Sequence, residues 1–170
     1  RPDELIPRFR ERQTVDWARI LDGLKLMLWG FVKKVVIADR LSYYVNSVYN
    51  DVPNHEAGAI LLATYCFAFQ IFCDFSGYTD IARGSARVMG YELMVNFRQP
   101  YLAQSIRDFW GRWHISLSTW FRDYLYVPLG GNRVSRPRTY VNLLLVMVLG
   151  GLWHGAAYTF IAWGAIHGLC

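Results

Sequence analysis

TYVNLLLVMVLGGLWHGAAYTFIAWGAIHGLC, residues Thr139–Cys170, runs for 32 residues without one Asp, Glu, Lys or Arg. As a single α-helix it would extend about 48 Å. The hydrocarbon core of a bilayer is about 30 Å thick. The stretch is therefore either one steeply tilted helix or two helices broken near Gly150, Gly151 and Gly155, and the glycines favour two. A charge-free tract of this length suits lipid. The expected fold class is all-α, a polytopic transmembrane helical bundle.

The rest of the 170 residues agrees. Hydrophobic residues make up 54% and charged residues 18%, against about 45–50% and about 25% in ordinary globular chains. That excludes a disordered chain, because there is ample apolar surface to bury. Ala57 to Cys73 carries no charge, and its helix is expected to continue through Asp74 and the following Ser-Gly-Tyr-Thr-Asp to about Met89. Asn50 to Asn54, around Pro53, reads as a turn. Upstream, Leu24, Met27, Leu28, Phe31, Val32, Val35 and Val36 recur at helical steps, with Lys25, Lys33 and Lys34 among them. Two lysines in mid-helix need snorkelling or a polar lining, so this segment is read equally as a span or as an interfacial helix.

Residues 1–23 hold Arg8, Arg10, Arg12 and Arg19, and Pro2 and Pro7 keep the start irregular. Arg83 to Arg138 is a polar, aromatic, Arg-rich stretch, too long for a simple loop and expected to carry helices of its own. The net charge of +5 thus reads as cationic loops beside membrane spans rather than a nucleic-acid surface. By the same rule residues 1–23 and 83–138 face the cytoplasm and residues 46–57 the other side. His154 then lies about 24 Å beyond Arg138 along a helix, deep in the membrane.

An ionisable side chain at such depth is costly and is by default a functional hypothesis. His154 sits in GGLWHGA (Gly150–Ala156). Kept neutral by burial, it can accept a proton as a general base; a buried histidine bonded to a neighbouring helix is the bland reading. His114, flanked by Arg112, Trp113 and Ser116, is either a second polar partner in the site or an interfacial histidine in an aromatic belt. His167 reads as packing, because on one straight helix it would face about 140° away from His154. His55 reads as a solvated turn residue.

Asp80 is placed to pair with Arg83 at i+3. Asp74, after the apolar run, lines a polar cavity or holds a helix end. Cys66 and Cys73, seven apart, share a helix face and read as packing thiols; with Cys170 they make neither a disulfide framework nor a zinc spacing. No HExxH spacing, nucleophile elbow or phosphate-binding glycine loop is present. No metal site is expected.

Three blocks carry a family resemblance: FCDFSGYTDIA (Phe72–Ala82), Asp108 through WHISLS to RDYLYVPLGGN (Arg122–Asn132), and GGLWHGA followed by WGAIHG (Trp163–Gly168). In this order and spacing, over nearly the whole chain, they resemble the membrane-bound O-acyltransferases, most closely the branch of the alginate O-acetyltransferase membrane subunit. Gly111 stands where an arginine is common in that branch, and Arg83 where an apolar residue is common. The resemblance implies a multi-pass enzyme of the bacterial inner membrane. Residues 1–170 would be one fragment of its membrane-embedded domain, with helices missing at both ends.

It also implies that His154 is the catalytic histidine and His114 the branch's second histidine. Asp74, Ser116, Arg112 and Trp153 are candidate substrate-binding residues. No tightly bound cofactor is implied. The acyl donor, acetyl-CoA or an acyl-carrier thioester, is a substrate. The acceptor is an extracytoplasmic polysaccharide, or a partner protein that relays the acetyl group. D-alanyl transfer to a cell-envelope polymer is the rival within the class. A proton-coupled transporter is a rival outside it, though such carriers place Asp or Glu inside their spans. An assembly subunit without chemistry is a third.

Overall fold

The computed structural model describes residues 6, 7, 9, 10 and 12–169. Pro2, Arg8 and Cys170 lie outside them. The described residues are helical with no strand, and the chain divides into two compact units, Arg1–Val95 and Asn96–Cys170.

In the first unit, α1 (Trp17–Phe31) starts where the Asp16 carboxylate accepts from the backbone N–H groups of Ala18 and Arg19, satisfying two donors that a helix start leaves without partners. A π-helical segment, Val32–Ala38, carries the chain into α2 (Asp39–Tyr49). After the turn at Val52–Asn54, α3 runs without a break from Ala57 to Val88. Among the described residues α3 is the one helix long and apolar enough to cross a membrane, and Leu61, Leu62, Tyr65 and Phe69 on it are exposed.

α1 and α3 cross antiparallel at two glycine pairs. A Cβ on Gly23 would stand 2.7 Å from the Gly84 carbonyl oxygen, and one on Gly30 would stand 2.7 Å from that of Gly77. Both pairs are spaced by seven residues, so the two contacts fall on one stripe of each helix. Only glycine permits backbones this close.

The same close approach resolves the lysines. Lys33, 8% exposed, donates to Asp80 at 2.5 Å, and Arg83 meets the other oxygen of Asp80 at 3.1 Å. Lys34 pairs with Asp74 and, at 3.2 Å, with Asp39. The polar lining that mid-helix lysines require is therefore supplied by α3. α2 packs on the same helix through Val45 and Val48, both buried, each contributing about 1.5–3 kcal/mol. Cys73 is buried and Cys66 half-buried on α3. His55 is half-buried, with Nε2 3.3 Å from the Ser47 carbonyl oxygen.

The second unit supplies the helices expected between residues 83 and 138. They are α4 (Ile106–Arg112) and α5 (Ile115–Phe121), the latter continued by a π turn, Arg122–Tyr126. Asn142, 1% exposed, donates to the Leu129 carbonyl at 3.0 Å and so ties the following glycine turn to α6. The charge-free tract is two helices, α6 (Arg136–His154) and α7 (Tyr158–Leu169). The break falls at Gly155, in extended conformation. A side chain on Gly151 would overlap the Phe160 carbonyl, and one on Gly164 the Met147 carbonyl. The small residues flanking His154 thus close α6 against α7.

Candidate active site

The site lies in the second unit. α6 places Leu143, Val146, Met147, Gly150 and His154 on one face, at steps of three and four, and this face lines a cavity of about 450 Å³. His114 lines the same cavity, with Trp110 from α4, Ser118 and Thr119 from α5, and Trp163 from α7. Two of the four histidines, forty residues apart in sequence, are thereby brought to one space within the range of small-molecule sites, about 300–1,000 Å³.

Each histidine owes its position to a break between helices. α6 ends at His154. Its ring lies edge-on to Trp163, with centroids 5.5 Å apart, and stacks on Phe160 at 6.2 Å. The residue is exposed at the end of α6.

His114 is the residue between α4 and α5, and its backbone is left-handed, at φ 43° and ψ 53°. Outside glycine such a conformation costs roughly 1–2 kcal/mol, and histidine is among the residues that tolerate it. Trp113, one residue earlier, is extended. It stacks on Phe109 with centroids 5.6 Å apart and meets Phe97 edge-on at 5.0 Å. The neighbouring tryptophan is thus held in an aromatic cluster while the imidazole faces the cavity. Burial first, and then the nearby charge of His154, push the His114 pKa down to about 4. The ring is neutral at physiological pH, with one N–H to donate and one nitrogen to accept.

The other candidates are not among the cavity's lining residues. Asp74 belongs to the first unit and pairs with Lys34. Arg112 binds Asp108 at 2.7 Å, one turn back on α4, and does not line the cavity. Ser116 does not line it either, and its backbone N–H is bound to Asn96 Oδ1 at 2.9 Å. Trp153 is 59% exposed and outside the lining, although its ring lies 6.0 Å from that of His114. His167 packs between Trp163, at 4.6 Å, and Trp110, at 5.4 Å.

The sequence reading missed Arg107, Trp110, Ser118, Thr119, Arg122 and Trp163, all of which line the cavity. Helical spacing counted from His114 points to Ser118, four residues on and one turn into the helix that His114 precedes; Trp110 lies on the other side of the helix break. Arg107 brings positive charge, Arg122 is paired with Asp123 at 2.8 Å, and among the described residues no Asp or Glu lines the cavity. Nor, among the described residues, is any group of three or more His, Cys, Asp or Glu placed to hold a metal ion.

Residues 8–170 match the family model of MBOAT, the membrane-bound O-acyltransferase family. The chain is 50% identical over 98% of its length to a probable alginate O-acetylase AlgI of Pseudomonas aeruginosa. It is 41% identical, over 98%, to a peptidoglycan O-acetyltransferase of Helicobacter pylori. Identity to a teichoic acid D-alanyltransferase of Bacillus subtilis is 29%, again over 98%. The chain covers 32% of the first two proteins and 45% of the third. A helical chain with a histidine-lined cavity, matched from residue 8 to residue 170, belongs to the membrane-bound O-acyltransferase family.

Proposed function

We propose that this chain supplies the acceptor-activating part of an O-acyltransferase that moves acetyl groups onto hydroxyls of an extracytoplasmic polysaccharide of the alginate type. The observation that carries the reading is the convergence of His114 and His154 on one cavity. The similarity to O-acetylating proteins at 41–50% identity supports the acetyl group.

In this reading His154 takes the proton of the acceptor hydroxyl. The oxygen attacks the carbonyl carbon of an acyl thioester, acetyl-CoA or an acyl-carrier thioester. The C–S bond then breaks, and the departing sulfur takes up the proton that His154 holds. Neutral His114 has an N–H to offer the oxyanion that develops on the carbonyl. Such donors count for most in a site that excludes water. The protein is multi-pass in the bacterial inner membrane, with the donor entering from the cytoplasmic side. The acceptor is the polysaccharide itself or a partner protein that carries the acetyl onward.

The test is the acetyl content of the exported polysaccharide in cells carrying full-length protein with His154→Ala, with the membrane level of the variant measured alongside. Lost acetylation at normal protein level is the expected result. Unchanged acetylation overturns His154 as the base. The D-alanyl alternative, which the 29% relative fits, is separated by feeding labelled acetate and labelled D-alanine and asking which label the polymer acquires.

A further inference from the structure

His114 lines the cavity from a left-handed backbone, and a three-residue segment packs against that turn. Asn96, Phe97 and Arg98 run against the α4–α5 joint. The Arg98 N–H donates to the Arg112 carbonyl at 2.9 Å, and the Ile115 N–H donates to the Asn96 carbonyl at 3.0 Å. The side chain of Asn96 then turns to the same helix start, where Oδ1 accepts the Ser116 N–H at 2.9 Å. Phe97, between them, packs on Trp113.

The first two N–H groups of α5 are thus held by one residue twenty positions away in sequence. His114 itself, at the capping position, makes no side-chain cap bond. Helix starts are ordinarily capped by the residue that precedes them. Here the two N–H groups are capped by Asn96 instead, from a distance.

We propose that Asn96 is a positioning residue for His114, a remote cap on α5 that fixes the left-handed turn and so sets where the imidazole stands in the cavity. The proposal rests on the acyl-transfer reading for its assay, but not on His154 as the base. Asn96→Leu removes the acceptor at similar volume. Asn96→Asp keeps an acceptor oxygen at the same reach, and a negative charge is favourable at a helix start.

The experiment measures acetyl on the exported polysaccharide per molecule of folded full-length protein in Asn96→Leu, Asn96→Asp and His154→Ala cells. Expected is a roughly tenfold loss for Asn96→Leu, equivalent to about 1.4 kcal/mol of transition-state stabilisation, with Asn96→Asp within about threefold of the parent. If Asn96→Leu does not accumulate, Asn96→Ala is read in its place under the same expectation. Full activity per folded molecule without the acceptor overturns the proposal. So does a loss that Asn96→Asp shares, because the acceptor oxygen is then not what matters. The His154→Ala arm reports on the base separately: acetylation that survives there removes the base assignment and leaves the Asn96 comparison to be read on its own variants.

Discussion

The two units treat polar groups in apolar helices in opposite ways. Along α1, the π segment and α3, charge is answered by charge: Lys33 with Asp80, Asp80 with Arg83, Lys34 with Asp74 and Asp39. Around α6 the polar groups of interest, His114 and His154, face a cavity among tryptophans. Both units gain close helix contact from glycine, at Gly23, Gly30, Gly77 and Gly84 in one and at Gly151 and Gly164 in the other. Close packing therefore does not distinguish them. The first unit consumes its ionisable groups in structure, and the second leaves room beside them for a substrate. A polar residue in an apolar helix is accordingly read by its surroundings, not by its presence.

Substitutions can break this contrast, and the largest effect is expected in the second unit. His154→Ala should lower acetyl transfer by about 10²–10⁴-fold, the range for a positioned base, with normal protein in the membrane. If it instead removes the protein, the second unit behaves like the first and the contrast fails.

Lys33→Met should do the reverse. It leaves Asp80 with only Arg83, and breaking a buried pair costs about 3–5 kcal/mol; the surviving Arg83 contact places the expectation at the low end. Membrane level and thermal midpoint should fall. A stable Lys33→Met protein that has lost acetyl transfer would mean that the first unit's charges also serve chemistry.

Gly84→Leu comes next. A Cβ there would stand 2.5 Å from the Gly23 carbonyl oxygen, so the helices must part, at about 1–3 kcal/mol for overpacking. The thermal midpoint of full-length protein reports it. The smallest effect sharpens the same point. A Cβ added to Gly111, on α4, would meet nothing within 4 Å, so Gly111→Ala should raise stability by about 0.5–1 kcal/mol, again read as a thermal midpoint. Glycines then divide by contact and not by residue type.

Much of this was legible in the chain. The absence of charge over 32 residues and the glycines within it point to two helices, and the break comes at Gly155. The uncharged run from Ala57 marks α3, the turn near Pro53 is present, and Asp80 does meet Arg83. His154 and His114 stand out because polar residues in such surroundings are costly. Other features were not legible. A pairing such as Lys33 with Asp80 joins residues 47 apart, and no local periodicity encodes it. Ser116 carries the right chemistry beside His114, yet its N–H is taken by Asn96 and the cavity is lined by Ser118 and Thr119 instead. His167 does pack among tryptophans, but not for the reason that spacing offers. An angle counted from His154 assumes one straight helix, and the chain breaks between the two.

Composition and periodicity by themselves determined an all-helical chain, its principal breaks and the two histidines worth attention. Those properties depend on burial preference and backbone sterics, which act over a few residues at a time. Tertiary structure alone decided which lysine meets which aspartate, how closely the glycine-bearing helices approach, and that a left-handed turn braced from Asn96 sets His114 beside the same cavity as His154. Those outcomes depend on which distant surfaces fit together, and fit is a property of the packed chain rather than of any segment of it.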